Sequence, residues 1–165
     1  MQHSAAFSIR SYAEADLGAI RAMLVGLQED EFKMESNRAL WADGGAAYTD
    51  WMLEEAKANS GIVTLAVTAA DAPIGVMACW RAMDETDITV VPEARPHLYV
   101  SDLFVAASWR GRGVAGVLLA EAERHGRALG LAQMTIGVLA ANGAARRAYE
   151  KAGFDEYEML LRKRL

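Results

Sequence analysis

One stretch does most to limit what this chain can fold into. An alternating apolar run, Leu98 to Val105, is followed after a short break by Trp109-Arg-Gly-Arg-Gly-Val-Ala-Gly116, and then by a strongly helical segment, Val114 to Leu129, closed by Gly130. A strand, a glycine-rich turn and a helix in that order begin a crossover, and the β-rich run Gln133 to Leu139 completes it, so these two strands lie parallel. Upstream, Ile62 to Thr68 and Ile74 to Arg81 flank the turn Asp71-Ala72-Pro73 and read as a hairpin, which requires antiparallel pairing. Both requirements are met by a mixed α/β sheet with helices on both faces.

The remaining segments fit around that frame. Phe7 to Arg10 reads as a short strand. Ser11-Tyr12-Ala13-Glu14 has capping-box spacing, and Leu17, Ile20, Met23, Leu24 and Leu27 follow at helical spacing, so a helix is expected over 12–28. The polar stretch Gln28 to Leu40 reads as a loop or short helix, and Ala46 to Asn59 as a second long helix. Residues 83–96 form an acidic loop with two prolines. Asn142 to Ala152 reads as a short helix closed by Gly153, and Phe154 to Leu161 as a last strand. No repeat or linker divides the 165 residues, so a single domain, 1–165, is expected.

Composition removes several classes of function. One cysteine, Cys79, excludes a disulfide framework and a multi-thiolate metal site, and three scattered histidines (His3, His97, His125) argue against a histidine metal centre. No apolar run reaches the roughly 18 residues that span a bilayer, and the first ten residues lack signal-peptide character, so no membrane partner and a cytoplasmic location are expected. The net charge of −5 argues against nucleic acid as a partner. Its distribution is uneven. Residues 1–105 carry 7 basic and 16 acidic side chains, whereas residues 106–165 carry 10 basic and 6 acidic ones. Such a split suits two ligands of opposite charge meeting on one molecule, although solvated surface charge accounts for it equally.

The glycine-rich turn carries chemistry. Amides at a helix start lack intrahelical acceptors, and the helix dipole adds positive potential there. Gly111 and Gly113 let a bulky phosphate approach the main chain, and Arg110 and Arg112 add full charges, which makes a plausible pyrophosphate cradle. Gly111, Gly113 and Gly116 also spell G-x-G-x-x-G. The dinucleotide-binding reading fails on context, since Ala106 to Arg110 separate the glycines from the strand and no acidic residue stands about 20 positions on. A nucleotide P-loop fails too, because lysine and Ser/Thr are missing after Gly116.

With these residues in view, the chain resembles the GNAT superfamily of N-acetyltransferases. Arg110-Gly-Arg-Gly113-Val-Ala115 is similar to the family's Arg/Gln-x-x-Gly-x-Gly/Ala acyl-CoA motif, Tyr99 to Val105 resembles its fourth strand, and Asn142-x-x-Ala-Arg-x-x-Tyr149-x-x-x-Gly153-Phe154 resembles its second conserved block. The likeness is strong over 98–156 and one of element order elsewhere. It implies a six- or seven-stranded mixed sheet, splayed between strands 98–105 and 133–139, with acetyl-CoA in the opening as cosubstrate and no metal. It implies that main-chain groups of Leu103, Phe104 and Val105 pair with the pantetheine arm. The amides of Gly111, Arg112, Gly113, Val114 and Ala115 would hold the pyrophosphate. Asn142 and Arg146 would lie at the cofactor, and Tyr149 would point at the thioester sulfur. Dimers are common in the family, so a homodimer is admitted.

The implied reaction is acetyl transfer to a primary amine. Such an amine arrives protonated, because its pKa is near ~10, and a carboxylate can accept the proton. The Val105 amide is the best candidate to stabilise the oxyanion, and the Tyr149 phenol to protonate the departing thiolate. The base is harder to name. Some family members carry glutamate where Ser101 stands, and Ser101 cannot take the proton itself. Asp102 is adjacent, but strand alternation turns it to the face opposite Ser101, which favours a structural or substrate-orienting role over catalysis. Glu31 and Glu35 lie in the acidic segment where the acceptor region begins, and proton loss through water alone also stands. Trp41, Tyr48, Trp51 and Trp80 could hold an ammonium by cation–π attraction or simply pack a core. The acidic front half favours a cationic small molecule as acceptor. The alternatives are a protein N-terminus or lysine, and a sensor that binds acyl-CoA without turnover.

Overall fold

A computed structural model describes residues 7–83 and 88–164. The N-terminal segment with His3, and residues 84–87 of the acidic loop, lie outside the described residues. Five strands form one sheet in chain order: β1 (Phe7–Ser11), β2 (Ile62–Thr68), β3 (Pro73–Ala82), β4 (His97–Val105) and β5 (Met134–Ile136). The first four pair antiparallel, and β5 runs parallel to β4. Four helices cover the sheet: α1 (Leu17–Met34), α2 (Ala46–Ala58), α3 (Val114–Ala128) and α4 (Gly143–Lys151).

The core divides by face. Ile20, Met23 and Leu24 of α1 and Met52 of α2 pack on Val63, Leu65, Val76, Ala78 and Trp80. On the other face, Val114, Leu118, Leu119 and Ala122 of α3 pack on Ala66, Met77, Cys79, Leu98 and Val100, with Tyr149 of α4 at the margin. The strand period of two explains the division: neighbouring residues of β2 and β3 fall into opposite layers. Two close approaches fix the frame. A Cβ on Gly61 would lie 2.3 Å from the Cys79 carbonyl oxygen, and one on Gly75 would lie 2.9 Å from that of Phe104.

The mixed α/β sheet with helices is as expected, and several details differ. The sheet has five strands among the described residues, and Phe154 to Arg164 form no regular element. β5 spans three residues where seven were expected, so it offers a short edge for any further strand. The Ser11/Glu14 capping box does not form. Asp16 takes its place, accepting from the Ala13 amide at 2.8 Å and from Arg10 at 2.7 and 2.9 Å, and the α-helix begins at Leu17. The same helix runs on to Met34, absorbing the acidic segment 28–34. Gln, Glu, Lys and Met favour helix, and Lys33 pairs with Asp30 at i,i+3.

Candidate active site

The sheet comes apart at one point. β5 pairs with β4 through Leu98, Tyr99 and Val100 only, so among the described residues Ser101 to Val105 have no strand beside them on that side. At the same place β4 carries a bulge: Val100 faces Cys79 and Asp102 faces Ala78, which leaves Ser101 with no opposite residue. The inserted residue reverses the alternation. Leu98 and Val100 point toward α3, but so do Leu103 and Val105, while Tyr99 and Phe104 point toward α1 and α2. Ser101 and Asp102 therefore project on the same face. This corrects the expectation of opposite faces, which assumed an unbroken strand.

The gap opens into a cleft of about 760 Å³, within the usual range for small-molecule sites. Leu103, Phe104 and Val105 form its floor, and Arg110, Gly111, Gly113, Val114 and Ala115 form one end. Gly111 (φ +74°) and Gly113 (φ +84°) adopt the left-handed conformation, and a Cβ on either would meet nothing within 4 Å. The first-turn amides of α3 consequently face open space. Opposite lie Asn142 and Tyr149 of α4 and Glu31 of α1.

Most expected residues thus gather in one place, but Asp102, Arg112 and Arg146 do not. The Arg112 guanidinium lies over the Trp109 ring, 5.1 Å from its centroid, and Arg146 pairs with Glu156; neither lines the cleft. Arg147 and Lys151 line the cleft where Arg146 was expected. Glu35 is also turned away, paired with Arg162 and Arg164 of the C-terminal segment. Asn142 caps α4, its side-chain oxygen accepting from the Ala145 amide at 3.0 Å, so only its amide NH2 is left to donate. Arg110 faces the cleft but is engaged: Nε donates to the Val105 carbonyl at 2.9 Å and Nη2 to Asp30 at 2.8 Å.

Sequence reasoning did not place Leu27 at the site, and it missed Asp30 and Met34, which line the cleft because α1 continues past residue 28. Their spacing of three and four, carrying on from Leu24, was the available signal.

The electrostatics of the inner end are acidic. Glu31 pairs with Arg38 at 3.3 Å. Asp102 is buried and accepts hydrogen bonds from Tyr48 Oη at 3.0 and 3.2 Å and from Ser101 Oγ at 2.7 Å. Burial pushes its carboxyl above the usual range, the two hydrogen bonds oppose this, and the Glu31 charge adds to it. Burial also pushes the Tyr149 phenol up to about 12, with a contribution from Glu31, so it stays protonated at neutral pH. An aromatic chain runs beside Asp102: Trp41 stacks on Tyr48 at 4.6 Å, Trp51 is tilted against Tyr48 at 5.3 Å, and Trp80 and Tyr99 continue it edge to face.

A sheet split beside a glycine-rich helix start, with a charged cleft between, can hold an extended ligand that carries phosphate at one end. The model of the acetyltransferase (GNAT) family matches residues 22–154, and the chain belongs to that family. It is 31% identical over 67 residues to an uncharacterised N-acetyltransferase, YycN, of Bacillus subtilis, a match covering 41% of this chain and 43% of that protein. The fold is similar to that of a mutant of the BH1408 protein of Bacillus halodurans, with a TM-score of 0.85 at 16% identity over 96% of this chain and 99% of that one. It is also similar to aminoglycoside N-acetyltransferase AAC(6')-Iy in complex with CoA, with a TM-score of 0.71 at 19% identity over 100% and 98% of the two chains. No helix among the described residues is long and apolar enough to cross a membrane.

Proposed function

We propose that this protein transfers an acetyl group from acetyl-CoA to a primary amine on a cationic small molecule, by direct attack of the amine on the thioester. The observation that carries the reading is the lining of the cleft: the start of α3 with Arg110, Arg147 and Lys151, the β4 stretch 103–105, and Glu31 and Tyr149 all border the same space. The residues present fit the cofactor. The unpaired stretch 101–105 of β4 offers main-chain groups to an extended arm, and the left-handed glycines leave space for phosphate above the α3 amides. Acetyl-CoA supplies the activated acyl group, and the protein's work is placement and proton handling.

Each residue then has a task. The amides from Gly111 to Ala115 bind phosphate, with Arg147 and Lys151 adding charge. The Val105 amide stabilises negative charge on the acyl oxygen. Tyr149, protonated and in the cleft wall, donates to the departing sulfur. Glu31 attracts and orients the acceptor's ammonium, and Asp30, which pairs with Arg110, ties α1 to the turn after β4.

The test is a panel of polyamines, aminoglycosides, basic amino-acid derivatives and peptides with free N-termini, assayed for thiol release from acetyl-CoA, with CoA affinity measured by calorimetry. Turnover of a polycationic amine is expected. Turnover of peptides alone would overturn the small-molecule assignment, and tight CoA binding without turnover of any amine would favour a sensor.

A further inference from the structure

Arg110 opens the glycine-rich turn, yet its guanidinium is already committed at both ends. Nε donates to the Val105 carbonyl at 2.9 Å, and Nη2 donates to Asp30 of α1 at 2.8 Å. The group also stands 5.7 Å from the centroid of the Phe104 ring. All four residues border the cleft. Asp30 keeps its charge at neutral pH: burial raises its carboxyl, but Arg110 and Lys33, which donates at 3.0 Å, more than offset this and leave it below the usual range. An ion pair between α1 and the turn after β4 therefore holds a main-chain oxygen of the cleft floor.

That oxygen is outside the β3 ladder. Val105 faces Gly75, and the next amide, that of Ala106, donates to the Ile74 carbonyl at 2.8 Å. In an antiparallel pair this pattern marks a non-hydrogen-bonded position, where the residue's own N–H and C=O point away from the partner strand. Among the described residues no strand lies on that other side, so both groups of Val105 face the open edge. Leu103, opposite Met77 and two residues back, is oriented the same way. Leu103 and Val105 would each offer an extended ligand a donor and an acceptor, and Arg110 removes the acceptor of Val105. An arm lying along the edge can pair with both groups of Leu103 but only with the amide of Val105, which fixes its register. We propose that Asp30 and Arg110 are positioning residues for acetyl transfer: Asp30 fixes the guanidinium, and the guanidinium holds the Val105 carbonyl, so that the acyl end of the donor stops at the Val105 amide. The inference rests on the acetyl-transfer reading above, in which that amide stabilises the acyl oxygen. It gives Arg110 a task other than binding phosphate.

The test uses Asp30→Ala, Asp30→Asn, Arg110→Ala and the double alanine variant, with the best amine of the panel. Calorimetry with CoA gives the affinity and, from its stoichiometry, the fraction of protein with a formed cleft, so kcat is expressed per formed cleft. The ion pair is part-exposed, so its loss should leave the fold intact. Each single alanine variant should lose about 10- to 10²-fold in kcat, the cost of misplacing the reacting group, while CoA affinity stays within about threefold of wild type. The two residues act as one unit, so the double variant should be no slower than Arg110→Ala. Asp30→Asn keeps an oxygen for Nη2 and should retain most of the rate. Wild-type kcat in Asp30→Ala would overturn the proposal while leaving acetyl transfer intact. So would single effects that multiply in the double variant, Asp30→Asn no faster than Asp30→Ala, or an Arg110→Ala protein whose CoA affinity falls as far as its kcat, the mark of a phosphate ligand. A wild type that binds CoA and acetylates no amine would overturn both readings.

Discussion

Two glycines three residues apart should respond to alanine with opposite signs. Gly113 is the N-cap of α3 at φ +84°, whereas Gly116 is in the helix proper, and an added Cβ meets nothing within 4 Å at either. Sterics therefore drop out and the backbone decides. A left-handed alanine costs about 1–2 kcal/mol, so Gly113→Ala should be destabilised by about that amount. Gly116→Ala should gain about 0.8–1 kcal/mol from helix propensity. For a domain of this size each kcal/mol moves Tm by about 2–4 °C, so the two variants should melt on opposite sides of the wild type. The binding readout is separate. Relaxing Gly113 toward negative φ would swing the turn and misalign the amides, so CoA affinity measured by calorimetry should fall at least about tenfold, or ~1.4 kcal/mol. A Gly113→Ala protein that melts lower yet binds CoA as the wild type does would remove the amide cradle. One that melts at the wild-type temperature would contradict the backbone argument itself.

Other outcomes follow from separate parts of the molecule. Tyr149→Phe should lower kcat while leaving CoA affinity close to wild type; equal turnover would take the proton-donor role from this phenol. Leu118 is fully buried where α3 meets the sheet, so Leu118→Ala should cost about 2–5 kcal/mol in urea unfolding, and a loss below about 1 kcal/mol would mean the interface collapses around the gap. The Arg10 guanidinium and the Ala13 amide hold the Asp16 carboxyl down to about 2. A folded value below the unfolded one means the stabilisation is complete above the ordinary carboxylate range near ~4 and disappears as pH falls toward 2. Asp16→Asn should therefore flatten the stability profile in that window, and a slope equal to wild type would refute the coupling.

The elements most legible in the sequence were those whose signal is local. The hairpin, the strand 98–105 and the helix after the glycines follow from periodicity and turn residues that act within a few positions. The cleft's acceptor side was not legible for two reasons. Acidic residues 29–31 read as a loop or a short separate helix, yet their helix propensity is good and the i,i+3 pair of Asp30 with Lys33 supports one helix running through them. The bulge at Ser101 left no mark at all, because an extra residue is defined by its partner strand and not by its own side chain. The segment after Gly153 alternates as a strand would, but a strand exists only against an edge, and β5 provides three residues of one.

Cys79 sits at the centre of β3 with none of its surface accessible, and burial pushes its thiol up to about 12. It is the only cysteine in the chain. Electrophilic dyes that trap sulfur react with exposed thiolate, and the native protein offers them none. A chromogenic count taken during turnover is therefore a count of product molecules, free of a protein background. Any signal that scales with enzyme and not with time reports unfolded chains.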